Sequence, residues 1–335
     1  MSDALRLGTR GSPLALWQAN TVAARIAAAG GPPCRIVIIK TAGDRLQDAP
    51  LSALGGKRLF VKEIEDALLG REIDLAVHSS KDMPAVLPDG LTIAGVLPRE
   101  DPLDAVVLPA RTSYARPRPS TIDDLVALLG QTPSFGTSSV RRIAQLTRLF
   151  PDARFEPIRG NLDTRLRKLD EGAHDAIVLA AAGLRRLGLA SRITMTVPAA
   201  ACVPAPGQGI VAVEIREGNE VVRRVVAPIE DAAAAAALRA ERALVETLGG
   251  GCQTPVGALA TPMDADHLEL IAVVVALDGS RAVRERAVGL RADACALGAR
   301  VGQALLAEGA GDILAEARRQ QSAVVSARSE SGGDE

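Results

Sequence analysis

Residues 34–40, Cys-Arg-Ile-Val-Ile-Ile-Lys, form a continuous run rich in β-branched side chains. Such a run is typical of a parallel strand that is buried on both faces of its sheet. Upstream, residues 6–8 have the character of a strand end, and the pair Ser12-Pro13 opens an apolar helical pattern as N-cap and first-turn residues. Strand, helix and strand therefore follow one another at the start of the chain.

The same alternation continues further along the chain. Residues 60–69 have helical spacing, Gly70 follows as a helix stop, and residues 73–78 form another buried strand. This order of strands and helices predicts a parallel sheet covered by helices, in which ligands collect at the carboxyl ends of the strands.

Prolines and glycines then divide the chain. After residues 98–102, Pro-Arg-Glu-Asp-Pro, a second α/β unit begins. Residues 197–209 contain three prolines and two glycines, which indicates a chain that crosses back between domains. Residues 210–215 form one more β-branched strand, which could complete either sheet.

From residue 230 onward the composition changes, and an Ala-rich helix begins. It is followed by strands at 268–277 and 281–288 and by helices at 292–308 and 311–319. This pattern predicts a third, smaller α+β domain. We expect the following boundaries: domain 1 at residues 1–99 with 208–227, domain 2 at 103–203, domain 3 at 230–319, and a disordered tail at 320–335, rich in Ser, Gly and charge.

Composition excludes several classes of protein. The 335 residues are too many for one core, and 39 basic against 40 acidic residues give a net charge of −1, which provides no overall field for nucleic acid or an anionic membrane. Aromatic residues are only 2% of the chain, so stacking platforms for single-stranded nucleic acid are scarce. The four cysteines are far apart and accompany three histidines, which argues against a disulfide framework and against a metal site.

The sequence also has no run of 18 apolar residues, and Met-Ser-Asp-Ala-Leu at its start lacks the basic and then apolar pattern of a signal sequence. We therefore expect a cytoplasmic protein with no membrane partner. We also expect a monomer, because no exposed apolar helix stripe stands out.

Three strand-to-helix loops place cations beside glycine or small hydroxyl residues, at 8–12, 136–142 and 159–165. Each presents backbone N–H groups and a guanidinium at the positive end of a helix, which suits carboxylate or phosphate. For any single loop the alternative is a surface cap with solvated arginines. Arg141-Arg142 is the strongest of the three, because two cations at a helix start oppose the macrodipole unless an anion is present. Together the loops predict a polyanionic ligand in a cleft between domains.

Two further positions could carry chemistry. Lys81-Asp82 follows the strand at 73–78, where a carboxylate facing a basic cleft could stabilise a developing cation or transfer a proton, although such a pair is usually a surface pair. We expect His78 to cap the strand rather than to catalyse. Cys252 follows three glycines, which leave its sulfur uncovered, as covalent attachment would require. A tight turn with a passive cysteine is the alternative there.

The other three cysteines have different surroundings. Cys34 begins a buried strand, Cys202 lies in an apolar loop, and Cys295 lies in an Ala-rich amphipathic helix. We expect all three to be inert packing thiols.

Seven motifs in order resemble those of the porphobilinogen deaminase family, across about residues 4–318. They are Leu-Gly-Thr-Arg-Gly-Ser-Pro-Leu-Ala at 7–15, Gly-Gly-Lys-Arg-Leu-Phe-Val-Lys-Glu at 55–63, His-Ser-Ser-Lys-Asp-Met-Pro at 78–84, Gly-Thr-Ser-Ser-Val-Arg-Arg at 136–142, Arg-Gly-Asn at 159–161, Pro-Gly-Gln-Gly at 206–209 and Gly-Gly-Cys-Gln-Thr-Pro at 250–255. Two positions depart from the family pattern. Arg58 replaces a small residue, and Ser80 replaces an apolar residue.

The resemblance implies a fold and an activity. The fold would be α/β, with two doubly wound lobes that resemble periplasmic-binding-protein domains and a smaller C-terminal α+β domain. The enzyme would be a transferase that joins four porphobilinogen molecules head to tail, releasing ammonia each time, to give the linear tetrapyrrole hydroxymethylbilane of haem biosynthesis. Its cofactor would be a dipyrromethane, held by a thioether to Cys252.

The resemblance also assigns residues. The catalytic carboxylate falls on Asp82. Cofactor-binding roles fall on Cys252, Lys81, Arg141, Arg142, Ser12, Thr137 and Ser138. Substrate-binding roles fall on Arg10, Arg159, Arg165, Arg186 and Lys57.

The chemistry implied by the family agrees with the cation-rich loops. Porphobilinogen carries an acetate and a propionate, so a chain of six pyrroles, cofactor included, carries twelve carboxylates for guanidinium groups to bind. A two-lobed carboxylate-binding protein of the solute-receptor type is the alternative function. That alternative predicts a secretion signal and gives no role to Cys252 or to a third domain. A DNA-binding regulator would need a helix-turn-helix segment and a local basic surplus, and we find neither.

Overall fold

The computed structural model describes residues 4–45, 60–113, 118–250 and 254–330. Its strands are β1 (Leu5–Thr9), β2 (Cys34–Ile38), β3 (Leu75–Ser79), β4 (Leu91–Val96), β5 (Asp104–Val107), β6 (Ser134–Gly136), β7 (Arg154–Glu156), β8 (Ala176–Ala180), β9 (Met195–Val197), β10 (Val211–Arg216), β11 (Val256–Pro262), β12 (His267–Val275) and β13 (Ala282–Leu290).

Its helices are α1 (Pro13–Ala28), α2 (Ala42–Arg45), α3 (Lys62–Leu69), α4 (Ala110–Ser113), α5 (Ile122–Leu129), α6 (Val140–Thr147), α7 (Leu162–Asp170), α8 (Ala181–Arg186), α9 (Glu220–Val226), α10 (Ala232–Thr247), α11 (Ala294–Ala307) and α12 (Ala310–Glu330). A short 3-10 turn, Ser80–Asp82, follows β3 directly. In the part of the chain that the structure describes, no helix is both long enough and apolar enough to cross a bilayer.

The first lobe is a five-stranded sheet in the order β2-β1-β3-β10-β4. Strand β1 runs parallel to β2 and β3, whereas β10 is antiparallel to both of its neighbours, β3 and β4. The late strand β10, which the sequence left open between two sheets, therefore belongs here. Its fully buried residues Val211, Val213 and Ile215 complete the core that α1 covers.

The second lobe repeats this arrangement, with the order β7-β6-β8-β5-β9. Strand β6 is parallel to β7 and β8, and β5 is antiparallel to β8 and β9. In each lobe the fourth strand of the sheet enters from the other lobe, so two chain segments connect the lobes, residues 97–103 and 198–210. Two doubly wound lobes confirm the predicted fold class.

The third domain is an antiparallel sheet of β11, β12 and β13, and its core side chains pack against α10, α11 and α12. Its helix α12 continues to Glu330, so the expectation of a disordered tail is wrong for residues 320–330. The physical reason is that no helix breaker interrupts this segment: residues 312–330 contain neither proline nor glycine, and the next glycine is Gly332. Residues 331–335 lie outside the described residues.

One buried carboxylate joins the third domain to both connecting segments. Glu241 on α10 is completely buried, and its oxygens accept hydrogen bonds from Arg99 Nη1 at 2.6 Å and from the Gly207 backbone N–H at 2.6 Å. The Ala260 backbone N–H donates to the same carboxylate at 2.7 Å. The domain therefore holds the segments that also shape the cleft between the lobes.

Candidate active site

Two loops of the first lobe meet because their strands are parallel neighbours. Strand β1 leads to Arg10 and Ser12, and β3 leads to the turn that holds Lys81 and Asp82. A cavity of about 80 Å³ lies between these loops, and its lining includes Arg10, Ser12, Gln18 and Asp82. This is the carboxyl-end position predicted for a ligand. Ser12 caps α1, since its Oγ accepts a hydrogen bond from Ala15 N at 3.4 Å.

Arg10 is held from two sides. Its Nε donates to Asp44 Oδ1 at 3.2 Å, and its guanidinium lies 4.3 Å from the centre of the Phe60 ring. Burial raises the pKa of the Asp44 carboxyl, but the hydrogen bonds and charge of Arg10 outweigh it, so this pKa lies below its usual range. Arg10 is therefore fixed in position at the edge of the cavity.

Arg141 and Arg142 lie at the start of α6 in the second lobe, and both bind Asp104. Arg141 Nη1 donates to Asp104 Oδ2 at 2.7 Å, and Arg142 Nη2 donates to Oδ1 at 2.7 Å. Burial raises the pKa of Asp104, but the two guanidinium charges prevail and hold this pKa far below its usual range. The anion that the paired arginines require is thus part of the chain.

This finding corrects one step of the sequence argument, because the arginine pair does not by itself require a bound ligand. One carboxylate against two guanidinium groups still leaves the cluster positive by one charge. Arg141 Nε is also buried without a hydrogen-bond partner among the described residues. Both features suit a further carboxylate.

The cations of the two lobes are connected through one amide. Lys81 Nζ donates to Gln208 Oε1 at 3.2 Å, and Gln208 Nε2 donates to Asp104 Oδ1 at 3.0 Å. Gln208 lies on the second connecting segment and is completely buried.

Arg165 and Arg159 add further positive charge from the second lobe. Burial and then the charges of Arg142 and Arg159 lower the pKa of Arg165 to about 10, while the charge of Asp82 acts in the opposite direction. Arg165 is therefore within electrostatic reach of Asp82 in the other lobe. The two sides of the cleft act on one another.

Arg186 lies at the end of α8, where its guanidinium is 5.5 Å from the centre of the Trp17 ring on α1. Its Nη2 donates to the Gly209 carbonyl at 2.6 Å. Burial lowers the pKa of Arg186, and the charge of Glu100 partly opposes this shift. This arginine thus contacts both lobes and a connecting segment.

Comparison with known protein families and proteins shows what the chain is similar to. Family models match the chain over residues 5–224 (porphobilinogen deaminase, dipyrromethane cofactor binding domain) and 235–307 (porphobilinogen deaminase, C-terminal domain). The chain belongs to the porphobilinogen deaminase family. The porphobilinogen deaminase of Syntrophobacter fumaroxidans is 45% identical over 94% of this chain and 98% of its own length, and that of Acidithiobacillus ferrooxidans is 46% identical over 95% and 99%.

One solved structure gives a weaker match. An ancestral arginine-binding protein bound to arginine aligns at a TM-score of 0.37 and 14% identity, over 68% of this chain and 91% of that one. That level carries no argument about function.

Family membership establishes the activity. The chain is a transferase that condenses four porphobilinogen molecules into hydroxymethylbilane in porphyrin biosynthesis, and it uses a dipyrromethane cofactor. The solute-receptor alternative is set aside. The donor set fits the cofactor, because acetate and propionate groups need cationic and N–H donors. Arg10 lines the cavity, Arg141 and Arg142 carry one positive charge more than Asp104 neutralises, and Arg141 Nε is a buried donor without a hydrogen-bond partner among the described residues.

Other predicted site residues differ in burial, and some of them lie outside the part of the chain that the structure describes. Thr137 is buried, and its Oγ1 accepts from Ser139 N at 3.2 Å. Ser138 is exposed, and its Oγ donates to the Ile158 carbonyl at 3.2 Å. Lys57, Arg58 and Cys252 lie outside the described residues.

Two expectations about other side chains are wrong. His78 does not cap β3: it is buried in the sheet, with Nε2 at 3.0 Å from Glu214 Oε2 on β10. Cys295 does not pack, because it faces solvent on α11. Cys202 is buried as expected, and burial together with the charge of Asp104 raises the pKa of its thiol to about 12, so it stays protonated.

Sequence reasoning missed Asp104, Gln208 and Phe60. Asp104 begins a short buried strand and carries no motif, so only the fold brings it to α6. Gln208 lies within the quoted motif at 206–209, where the flanking glycines gave a signal that something approaches closely.

Proposed function

We propose that Asp82 is the catalytic carboxylate and that the cations around it bind the carboxylates of cofactor and substrate. The observation that carries this proposal is the position of Asp82: it lines the cavity of the first lobe with Arg10, and its charge acts on Arg165 in the second. A carboxylate at that point faces whatever ligand the two sets of cations hold. It is therefore placed to act on the reacting pyrrole.

Loss of ammonia from porphobilinogen leaves a positively charged pyrrole fragment. Asp82 stabilises that positive charge, because an anion fixed in a partly dry cleft interacts more strongly than it would in water. Asp82 can also accept the proton that the new bond between pyrroles displaces. One carboxylate serves all four condensations if the growing chain moves past it.

The remaining residues divide by the ligand that they bind. Lys81, Arg141 and Arg142 bind the cofactor carboxylates, helped by the hydroxyl groups of Ser12, Thr137 and Ser138 at helix starts. Arg10, Arg159, Arg165, Arg186 and Lys57 bind the carboxylates of the incoming substrate. Guanidinium groups suit this work because they bind carboxylates in a bidentate geometry that fixes ring position.

Cys252 holds the cofactor through a thioether in this proposal. When bound, the dipyrromethane supplies the pyrrole carbon to which the first substrate is joined. Cys252 needs no strong base nearby, because it attaches the cofactor once and is afterwards a tether.

The proposal includes a monomeric enzyme in the cytoplasm. Every residue assigned to the site comes from one chain, so a single copy can supply it. The described cysteines, Cys34, Cys202 and Cys295, are free thiols, which suits a reducing compartment.

Intact-protein mass spectrometry tests the tether and the substrate together. Wild-type enzyme mixed with limiting porphobilinogen is expected to carry a dipyrromethane and then added pyrrole units on the same chain. Cys252→Ser is expected to fold but to carry neither, and Cys295→Ser, which changes an exposed thiol, is the matched control and is expected to match wild type. A covalent pigment in Cys252→Ser would contradict the proposal.

A further inference from the structure

Gln208 is held rigidly between the lobes. Both flanking glycines have positive φ, +72° at Gly207 and +86° at Gly209. A Cβ at Gly207 would lie 2.7 Å from Ser80 Oγ, and one at Gly209 would collide with the Glu100 carbonyl. The backbone of this segment therefore passes too close to its neighbours to shift, which fixes the Cα of Gln208.

Backbone hydrogen bonds add to this constraint. Arg99 Nε donates to the Gln208 carbonyl at 2.9 Å, and Gln208 N donates to the Ala205 carbonyl at 2.9 Å. Arg186 Nη2 and Glu241 bind the backbone of the glycines on either side. Residues from both lobes and from the third domain thus hold one buried glutamine.

The chemistry of its partners fixes the orientation of the amide. Lys81 Nζ is only a donor, so the amide oxygen must face it, at 3.2 Å. The Pro102 carbonyl and Asp104 Oδ1 are only acceptors, so the amide nitrogen must face them, at 2.7 Å and 3.0 Å. The amide oxygen and the amide nitrogen both have suitable hydrogen-bond partners in one orientation only.

We propose that Gln208 is a positioning residue that holds Lys81 toward the ligand and keeps it from pairing with Asp104. A neutral amide can bond an ammonium and a carboxylate at once without cancelling either charge. Without it, Lys81 would turn to the Asp104 carboxylate, and the cleft would lose a cation that the ligand needs. This inference rests on the proposed cofactor-binding roles of Lys81, Arg141 and Arg142.

The test is a double-mutant cycle on enzyme whose cofactor content has been verified by mass. Gln208→Leu is expected to lower kcat/KM for porphobilinogen about tenfold, chiefly through KM, as the loss of a hydrogen bond to a charged group would. In a Lys81→Met background the same substitution is expected to cost less than about twofold, because the residue it positions is already gone. Equal losses in both backgrounds would overturn the proposal.

Gln145→Leu is the matched control. Gln145 is also a buried glutamine, and its amide binds the backbone of Val203 on the same connecting segment, at 2.7 and 3.0 Å. Its substitution is expected to cost the same in both backgrounds, since its side chain does not hold Lys81. A dependence on Lys81 as strong as that of Gln208→Leu would show that the effect comes from the segment as a whole, and would also overturn the proposal.

If Gln208→Leu does not fold, Gln208→Met keeps the length of the side chain without its hydrogen bonds. KM is expected to rise about tenfold in that variant, because Lys81 loses the acceptor that positions it. A wild-type KM there would overturn the proposal. A wild-type kcat/KM in Lys81→Met alone would instead remove the assigned role of Lys81, and with it this inference.

Discussion

Asp104 holds Arg142 through a single carboxylate oxygen: Oδ1 accepts from Nε at 3.0 Å and from Nη2 at 2.7 Å. The other oxygen, Oδ2, accepts from Arg141 Nη1. All three side chains are buried, and Asp104 is completely so. The cluster is therefore a fixed part of the second lobe, prepared before any ligand arrives.

The first prediction concerns the loss of the charge on Asp104. Asp104→Asn keeps the shape but leaves two buried guanidinium groups without their anion. Breaking a buried ion pair in this way costs about 3–5 kcal/mol, so we expect the free energy of unfolding to fall by that order. Unfolding in denaturant measures this free energy. Asp101→Asn, which removes a partner of the more exposed Arg185, is the control and is expected to cost less than about 1 kcal/mol.

The second prediction concerns how the loss of unfolding free energy in Asp104→Asn depends on pH. The pKa of Asp104 is far lower in the folded protein than the ordinary value near 4, so its contribution is fully present above about pH 4 and is lost as the pH falls toward the folded pKa. The gap in unfolding free energy between wild type and Asp104→Asn is expected to be constant from about pH 5 to 8 and to shrink below about pH 4. A gap that grew on acidification would contradict the assignment.

The third prediction concerns the arginine pair. Arg141→Leu and Arg142→Leu, made singly, are expected to reduce the fraction of chains that carry covalent cofactor, because each removes positive charge from the proposed binding cluster. Arg167→Leu on the exposed face of α7 is the control, since Arg167 pairs only with Glu171 one turn away in the described structure. Intact mass gives the cofactor fraction. Equal cofactor fractions in all three variants would mean that Arg141 and Arg142 have only a structural role.

The fourth prediction separates stability from binding at Arg165. The pKa of this cation is lowered to about 10 by burial and neighbouring cations, so carrying its charge costs folding free energy below that pH. In cofactor-free Cys252→Ser protein, Arg165→Gln is expected to raise the free energy of unfolding by about 0.5–1 kcal/mol. In cofactor-bearing enzyme it is expected to raise KM about tenfold. A loss of stability in the cofactor-free protein would contradict this account.

Much of the fold could be predicted from sequence, because buried parallel strands such as β8 have continuous apolar runs. The run at residues 34–40 does form a strand, but the prediction that it is buried on both faces is wrong, because β2 is the edge strand of its sheet and none of its residues is buried. Strands β4 and β11 were missed, since a glycine interrupts the apolar pattern of each. The partner sheet of β10 could not be decided, because its apolar pattern suits either core. Tertiary pairing decides that question, and local sequence does not.

The candidate site shows the same limit. Motifs identified Arg10, Asp82 and the arginine pair, because each has a distinctive local setting at a strand end. Asp104 and Gln208 contact the candidate site only through neighbours more than 30 positions away in the chain. A local sequence pattern does not show which distant residues are neighbours in the fold, so only the structure could identify these two residues.

The central claim is that the negative charge of Asp82 drives each condensation. Asp82→Asn nearly preserves volume and one acceptor oxygen while removing the charge. Losing stabilisation of a developing cation in a partly dry cleft commonly costs about 3–4 kcal/mol, which corresponds to a rate loss on the order of a hundredfold to a thousandfold. Asp82→Glu keeps the charge but moves it by one methylene, so an intermediate rate is expected.

The decisive measurement is porphobilinogen consumption by purified Asp82→Asn whose covalent cofactor has been confirmed by mass. The account predicts a cofactor-bearing variant with turnover at least about a hundredfold below wild type. Turnover within a few-fold of wild type would contradict it, and would mean that Asp82 is structural and that another group performs the chemistry.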